Sequence, residues 1–153
     1  MTYRIMHSTV RNIINAVFDR KIITQIVDGK PLPYLTRWHL VKTPWFGLYL
    51  HKIERSDEDP DRHDHPWSFG TVVLSGSYID DSPQEQDVLK RFSFRWRHFS
   101  HKHRVIKNSN KPILTLIFRG TKDRKTWGFH TANGFKTERE YVELNPNSKR
   151  IIM

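Results

Sequence analysis

The chain has 153 residues, enough for one domain with its own hydrophobic core and few for two. It contains no cysteine, which excludes disulfide stapling and thiolate chemistry, so any transition metal must be held by imidazole and carboxylate. Twenty-six basic residues against 16 acidic ones leave a net charge of +10, but the excess is scattered rather than gathered into a polybasic tail, and it reads as a basic surface before it reads as a nucleic-acid face.

The opening segment, MTYRIMHSTVRNIINAVF, lacks a continuous apolar stretch and a small-residue cleavage site, and nothing in the chain approaches the roughly 18 apolar residues of a membrane span. It reads as an unprocessed soluble protein suited to a reducing cytoplasm. From Ser8, Val10, Ile13, Ile14, Val17 and Phe18 recur at helical spacing, with Ser8 or Thr9 as N-cap, so one amphipathic helix is expected. Asp28-Gly29 and the Pro31/Pro33 pair read as a turn, which makes residues 1–30 a helix and turn packed on the main body and residues 31–153 that body.

Short runs rich in β-branched and aromatic residues follow, at 35–41, 47–53, 68–74, 77–79, 88–94, 103–107, 113–119 and 127–130. Between them stand compact breakers: Ser56 to Pro60, Ser75-Gly76, Asp80 to Pro83 and Asn108-Ser109-Asn110. The spacing is that of antiparallel hairpins, so the fold class is all-β, a sandwich or a closed barrel, with a short N-terminal α-helix. The tail beyond Tyr141 is polar, contains Asn145-Pro146-Asn147, and reads as partly mobile.

Nine histidines are present, and their positions carry more than their number. His63 and His65 flank Asp64; in an extended strand the first two project to one face and the third to the other. Alone, such a pair reads equally well as ordinary hydrogen-bonded or solvated histidines. A second pair, His101 and His103, leads into an apolar strand, and a closed barrel would bring the two segments together around one divalent metal ion.

The segments Tyr49 to Ile53, His63-Asp64-His65-Pro66-Trp67-Ser68-Phe69 and Leu74 to Tyr78 resemble the HDHPW-type small cupins of bacteria and phages. So do Tyr34 to Trp38, Thr43 to Gly47, His103-Arg104-Val105 and Trp127 to His130, and the likeness covers about residues 34 to 142. It implies a cupin double-stranded β-helix, a jelly-roll barrel whose first motif supplies His63 and His65 and whose second supplies His103 as metal ligands. The general cupin pattern also has a glutamate four or five residues after the second histidine, where this chain has Phe69 and Gly70. The resemblance therefore points to a three-histidine site, as in cysteine-dioxygenase-like cupins, with His101 a candidate fourth ligand and Fe(II) the favoured ion among Fe, Ni, Mn, Cu and Zn.

Three neutral imidazoles leave the ion its full charge, which suits an anionic substrate; Arg95, Arg97 and Arg119 stand at strand parity at which they could point inward, although each alone reads first as a surface arginine. His51, Asp57 and Tyr78 are the candidate acid, base or hydrogen-bonding groups, each also readable as a strand, turn or core residue. His130 reads equally as a group closing the pocket mouth or as a polar strand end beside a buried Trp, and Trp67 and Phe69 as walling the pocket or packing in the core. The leading function is a mononuclear metal enzyme, dioxygenase-like or an isomerase or lyase, acting on a small anionic molecule, with a homodimer expected from the resemblance. The alternatives are a non-catalytic cupin that binds a small ligand or a metal, a metal-free sugar-nucleotide epimerase, disfavoured by the tight histidine pair, and a basic nucleic-acid binder using Arg91 to Arg97.

Overall fold

A computed structural model describes residues 18–148 and 150–152. The helix expected from Ser8 falls on residues outside that range. The first described element is instead a strand: β1 (Asp19–Val27) pairs along its length with β2 (Lys30–Lys42). The turn between them is Asp28-Gly29, with φ of 50° and 74°, the left-handed pair that matches the twist of a two-residue hairpin. Pro31 and Pro33, expected in the turn, lie inside β2. They are tolerated because β2 pairs with β3 (Gly47–Ile53) only from Leu35 onward, so the two prolines, which cannot donate, stand where β2 has one neighbour.

The chain continues through β4 (Arg62–His63), β5 (Phe69–Ser75), β6 (Tyr78–Asp81), β7 (Gln86–Leu89), β8 (Phe94–Arg97), β9 (Arg104–Lys107), β10 (Ile113–Arg119), β11 (Gly128–Thr131), β12 (Gly134–Thr137), α1 (Glu138–Leu144) and β13 (Arg150–Ile152). Seven strands form one antiparallel sheet in the order β13-β1-β2-β3-β10-β5-β8, and two three-stranded sheets, β12-β11-β4 and β7-β6-β9, lie beside it. Alternation drives the layering. In β3, Gly47, Tyr49, His51 and Ile53 are buried while Leu48, Leu50 and Lys52 are less so, the period of a strand with one face on a core. The core gathers Tyr34, Leu35, Ile53, Val73, Tyr78, Leu89, Val105 and Ile113, drawn from all but the β12-β11-β4 sheet. An all-β jelly roll is thus what the alternating runs produce.

Two expectations change. The run at 88–94 is broken, because residues 90–93 turn: Phe92 has φ of 68° and its N–H donates to Val73 O at 2.7 Å, so β7 and β8 join different sheets. The polar tail is also structured. Thr137 caps α1 through a reciprocal box with Glu140, Tyr141 stacks on Phe129 with ring centroids 3.8 Å apart, and β13 pairs with β1. Among the described residues no helix is long and apolar enough to cross a membrane.

Candidate metal centre

His63 ends the two-residue strand β4, which pairs with β11 and forms a reciprocal backbone bridge with His103, each N–H donating to the other's carbonyl at 2.9 Å. That bridge joins two segments far apart in sequence. His65 lies beyond β4 rather than on an extended strand with His63, yet its ring still converges. The three ring centroids form a near-equilateral triangle, 5.1 Å for His63 to His65, 5.0 Å for His63 to His103 and 5.2 Å for His65 to His103.

The residues fit a metal ion. His65 Nε2 and His103 Nε2 are 3.0 Å apart, the separation of two nitrogens bound at right angles about 2.1 Å from one ion. His103 turns its Nδ1 to Asp80 Oδ1 at 3.2 Å, and His63 turns its Nδ1 toward Asp57 Oδ2 at 3.5 Å, so a buried carboxylate stands behind each ring and leaves Nε2 for the site. Burial alone would raise the pKa of Asp80; hydrogen bonds from His101 and His103 overcome it and hold this carboxyl well below the usual range. Ligand atoms of His63, His65 and His103 all lie within 4.8 Å of one another. His101 belongs instead to a neighbouring group with Asp80 and His103, its Nε2 2.9 Å from Asp80 Oδ1.

Asp64, between the two histidines, points the other way and is 1% exposed. It accepts from Gly128 N at 3.0 Å and contacts Arg124 Nη2 and His130 Nε2, both at 2.6 Å. Arg124 also donates to the carbonyls of His65 and Phe99 at 3.2 Å. His130 is therefore an anchor on Asp64 rather than a gate, and it does not line the cavity.

A cavity of about 330 Å³ opens beside the triangle, walled largely by apolar side chains including Ile53, Trp67, Phe69, Val105 and Trp127. The Phe69 ring packs 4.8 Å from that of His65, where the sequence pattern would have placed a carboxylate. His51 lines this cavity, but its Nε2 accepts from Arg37 Nε at 2.8 Å. Burial, then the Arg37 charge, push His51 well below its ordinary pKa, so it is neutral with its proton on Nδ1. Tyr78 also lines the cavity; burial and Asp80 raise its pKa and keep the hydroxyl protonated.

The expected inward arginines are elsewhere. Arg95 and Arg97 bind Asp87, Arg97 also binds Asp80, and Arg119 binds Tyr49 Oη at 2.7 Å and Thr43 O at 2.9 Å. None of the three lines the cavity, because acidic neighbours on β6 and β7 hold two of them and Tyr49 the third. The arginine that lines the cavity is Arg37, one residue before Trp38 in a segment the sequence reading quoted without assigning a role; Glu138, at the start of α1, is the lining carboxylate. Only their positions in a folded sheet and helix mark them out.

No protein-family model matches the sequence, and no curated protein is detectably similar to it. Solved structures are. A sugar phosphate isomerase from a cupin superfamily, from Silicibacter pomeroyi, superposes with a TM-score of 0.54 at 16% identity, covering 80% of this chain and 88% of its own. KdgF from Halomonas sp. covers 72% of this chain and 94% of its own at 18% identity and a TM-score of 0.51. The chain has the cupin fold. A conserved protein with a double-stranded β-helix domain from Klebsiella pneumoniae agrees, at 13% identity and a TM-score of 0.50 over 67% of this chain and 86% of its own. In this chain the three imidazoles line a cavity beside the sheets, and Phe69 packs its ring against His65.

Proposed function

We propose that this cupin is a mononuclear metal enzyme of the cytoplasm that acts on a small anionic molecule, with one divalent transition ion held by His63, His65 and His103. The observation that carries the reading is the triangle of rings, two of which have Nδ1 turned to a buried carboxylate, with ligand atoms of all three within 4.8 Å of one another. Neutral imidazole ligation favours Fe(II) while admitting Ni, Mn, Cu and Zn. An ion there would supply Lewis-acid activation of a bound oxygen and, if redox-active, oxidative chemistry. The protein's own groups exclude water through Trp67, Phe69 and Trp127 and offer the protonated hydroxyl of Tyr78 as a donor.

Proton transfer is poorly provided for. His51 has its acceptor nitrogen occupied by Arg37, and the Asp57 side chain is fully buried against His63. That supports dioxygenase-like chemistry over the isomerisation suggested by the name of the Silicibacter structure, in which Glu138 would have to serve as base. The same observation favours a second reading, a cupin that binds a small ligand or metal without turnover. Metal analysis of untagged protein tests the proposal: about one ion per chain is expected, falling to background in His63→Ala and His103→Ala variants that retain their circular dichroism. Stoichiometric metal in both variants, or none in wild type after reconstitution with Fe(II), Ni(II) or Zn(II), rejects it.

A further inference from the structure

One rung of the seven-stranded sheet carries Arg37 on β2, His51 on β3 and Thr115 on β10, each directly opposite the next. Directly paired residues share a face, and all three line the cavity. Two of them lack what burial ordinarily demands.

Arg37 donates through Nε to His51 and lies over the Tyr49 ring at 5.2 Å. No carboxylate pairs with it, and its terminal amino groups meet no acceptor among the described residues. Burial pulls its pKa below the ordinary value, as expected of a cation with no counter-charge. Arg37 is half-buried, and a guanidinium drawn even partly out of water with no anion beside it is destabilised, a cost that the charge of a ligand can offset. Thr115, 1% exposed, has a hydroxyl with no hydrogen-bond partner, although valine would fill the same space without that cost. The two deficits are complementary: N–H groups in a plane and one further donor, on the same wall with one strand between them. His51 is the positioning residue on that strand, since its lone pair fixes the guanidinium through Nε and leaves the terminal amino groups uncommitted.

We infer that this rung is a carboxylate-binding subsite, with Arg37 and Thr115 donating to one carboxylate of the substrate. Among the described lining residues Arg37 is the single Arg or Lys, and Glu138 stands beside β11 and β12 rather than on this sheet. One planar cation matches one planar monoanion; a phosphate dianion would be left half-compensated. Resting on the metal reading above, the substrate is a small acid with one carboxylate at this end and, at its other end, a 2-hydroxy- or 2-oxocarboxylate that reaches the three imidazoles.

Lactate, malate and 3-phosphoglycerate share a 2-hydroxycarboxylate end and differ in carrying no second anion, a carboxylate or a phosphate. Calorimetric titration of metal-loaded protein is expected to show malate bound at least about tenfold tighter than the other two. The preference disappears in Arg37→Gln and shrinks in the isosteric Thr115→Val, with bound metal unchanged. Equal affinity for lactate and malate, a preference for 3-phosphoglycerate, or a malate preference that survives Arg37→Gln overturns the inference. In metal-free protein, glutarate binding that is lost in Arg37→Gln supports the subsite whether or not the histidines hold an ion. A protein that holds its ion but does not distinguish malate from lactate loses the subsite and keeps the metal reading.

Discussion

The two sides of the cavity are built by different means. The seven-stranded sheet places Arg37, His51 and Thr115 by register alone: regular ladders over β2, β3 and β10 leave no freedom in which side chain faces which. The histidine side has little ladder, a two-residue strand and an isolated bridge, and is positioned by buried charge, with Asp57, Asp64 and Asp80 each within reach of an imidazole or guanidinium. Where repetitive backbone pairing is absent, specific side-chain pairs must locate the functional groups, so the two walls should respond differently to substitution.

The largest effect is expected on the irregular wall. Asp64→Ala removes the acceptor for Gly128 N, Arg124 and His130 and should cost about 3 kcal/mol in urea unfolding, since it strands buried partners; a loss under about 1 kcal/mol would mean that the loop holds itself. Asp80→Asn should weaken metal binding by about 10- to 100-fold in competition with a chelator, because the ring of His103 loses its orienting carboxylate. On the regular wall, Thr115→Val should leave unfolding free energy unchanged or raised by up to about 1 kcal/mol, as it deletes a buried hydroxyl without a partner.

A pH test sharpens the contrast on the outer sheet. Hydrogen bonding from Arg95 holds Asp87 below the usual carboxylate range against an opposing effect of burial, with Arg97 adding to the lowering. Its pKa is lower folded than unfolded, so the stabilisation is complete above about pH 5 and lost as pH falls through the folded value. The melting temperature of Asp87→Asn should therefore fall less than that of wild type between about pH 5 and 3. The smallest effect belongs to Trp96→Ser at an exposed edge strand, within about 0.5 kcal/mol of wild type.

Much of the fold was legible because alternation is a local signal. Residues 47–53 and 113–119 coincide with β3 and β10, where buried and less buried residues alternate along all of β3 and the first half of β10. Breaks set by long-range contacts were not legible: Phe92 looked like a strand residue, and only the carbonyl of Val73 accepting its N–H explains the turn. At the site, His63, His65 and His103 could be nominated from their i, i+2 pairing and brought together only by the backbone bridge between residues 63 and 103. Arg37 escaped because a single arginine in a strand carries no sign of its partners, and Arg95 and Arg97 misled for the same reason.

By itself the sequence determined what is short-range or compositional: the absence of any thiolate, strands with one buried face, a turn at Asp28-Gly29, and imidazoles in strand-like settings. The tertiary structure decided which charged groups meet. Ion pairs and hydrogen bonds join residues on different strands and loops, as Asp64 with Arg124 and, 14 positions apart, Arg37 with His51, and their energies depend on burial and distance that no local pattern encodes.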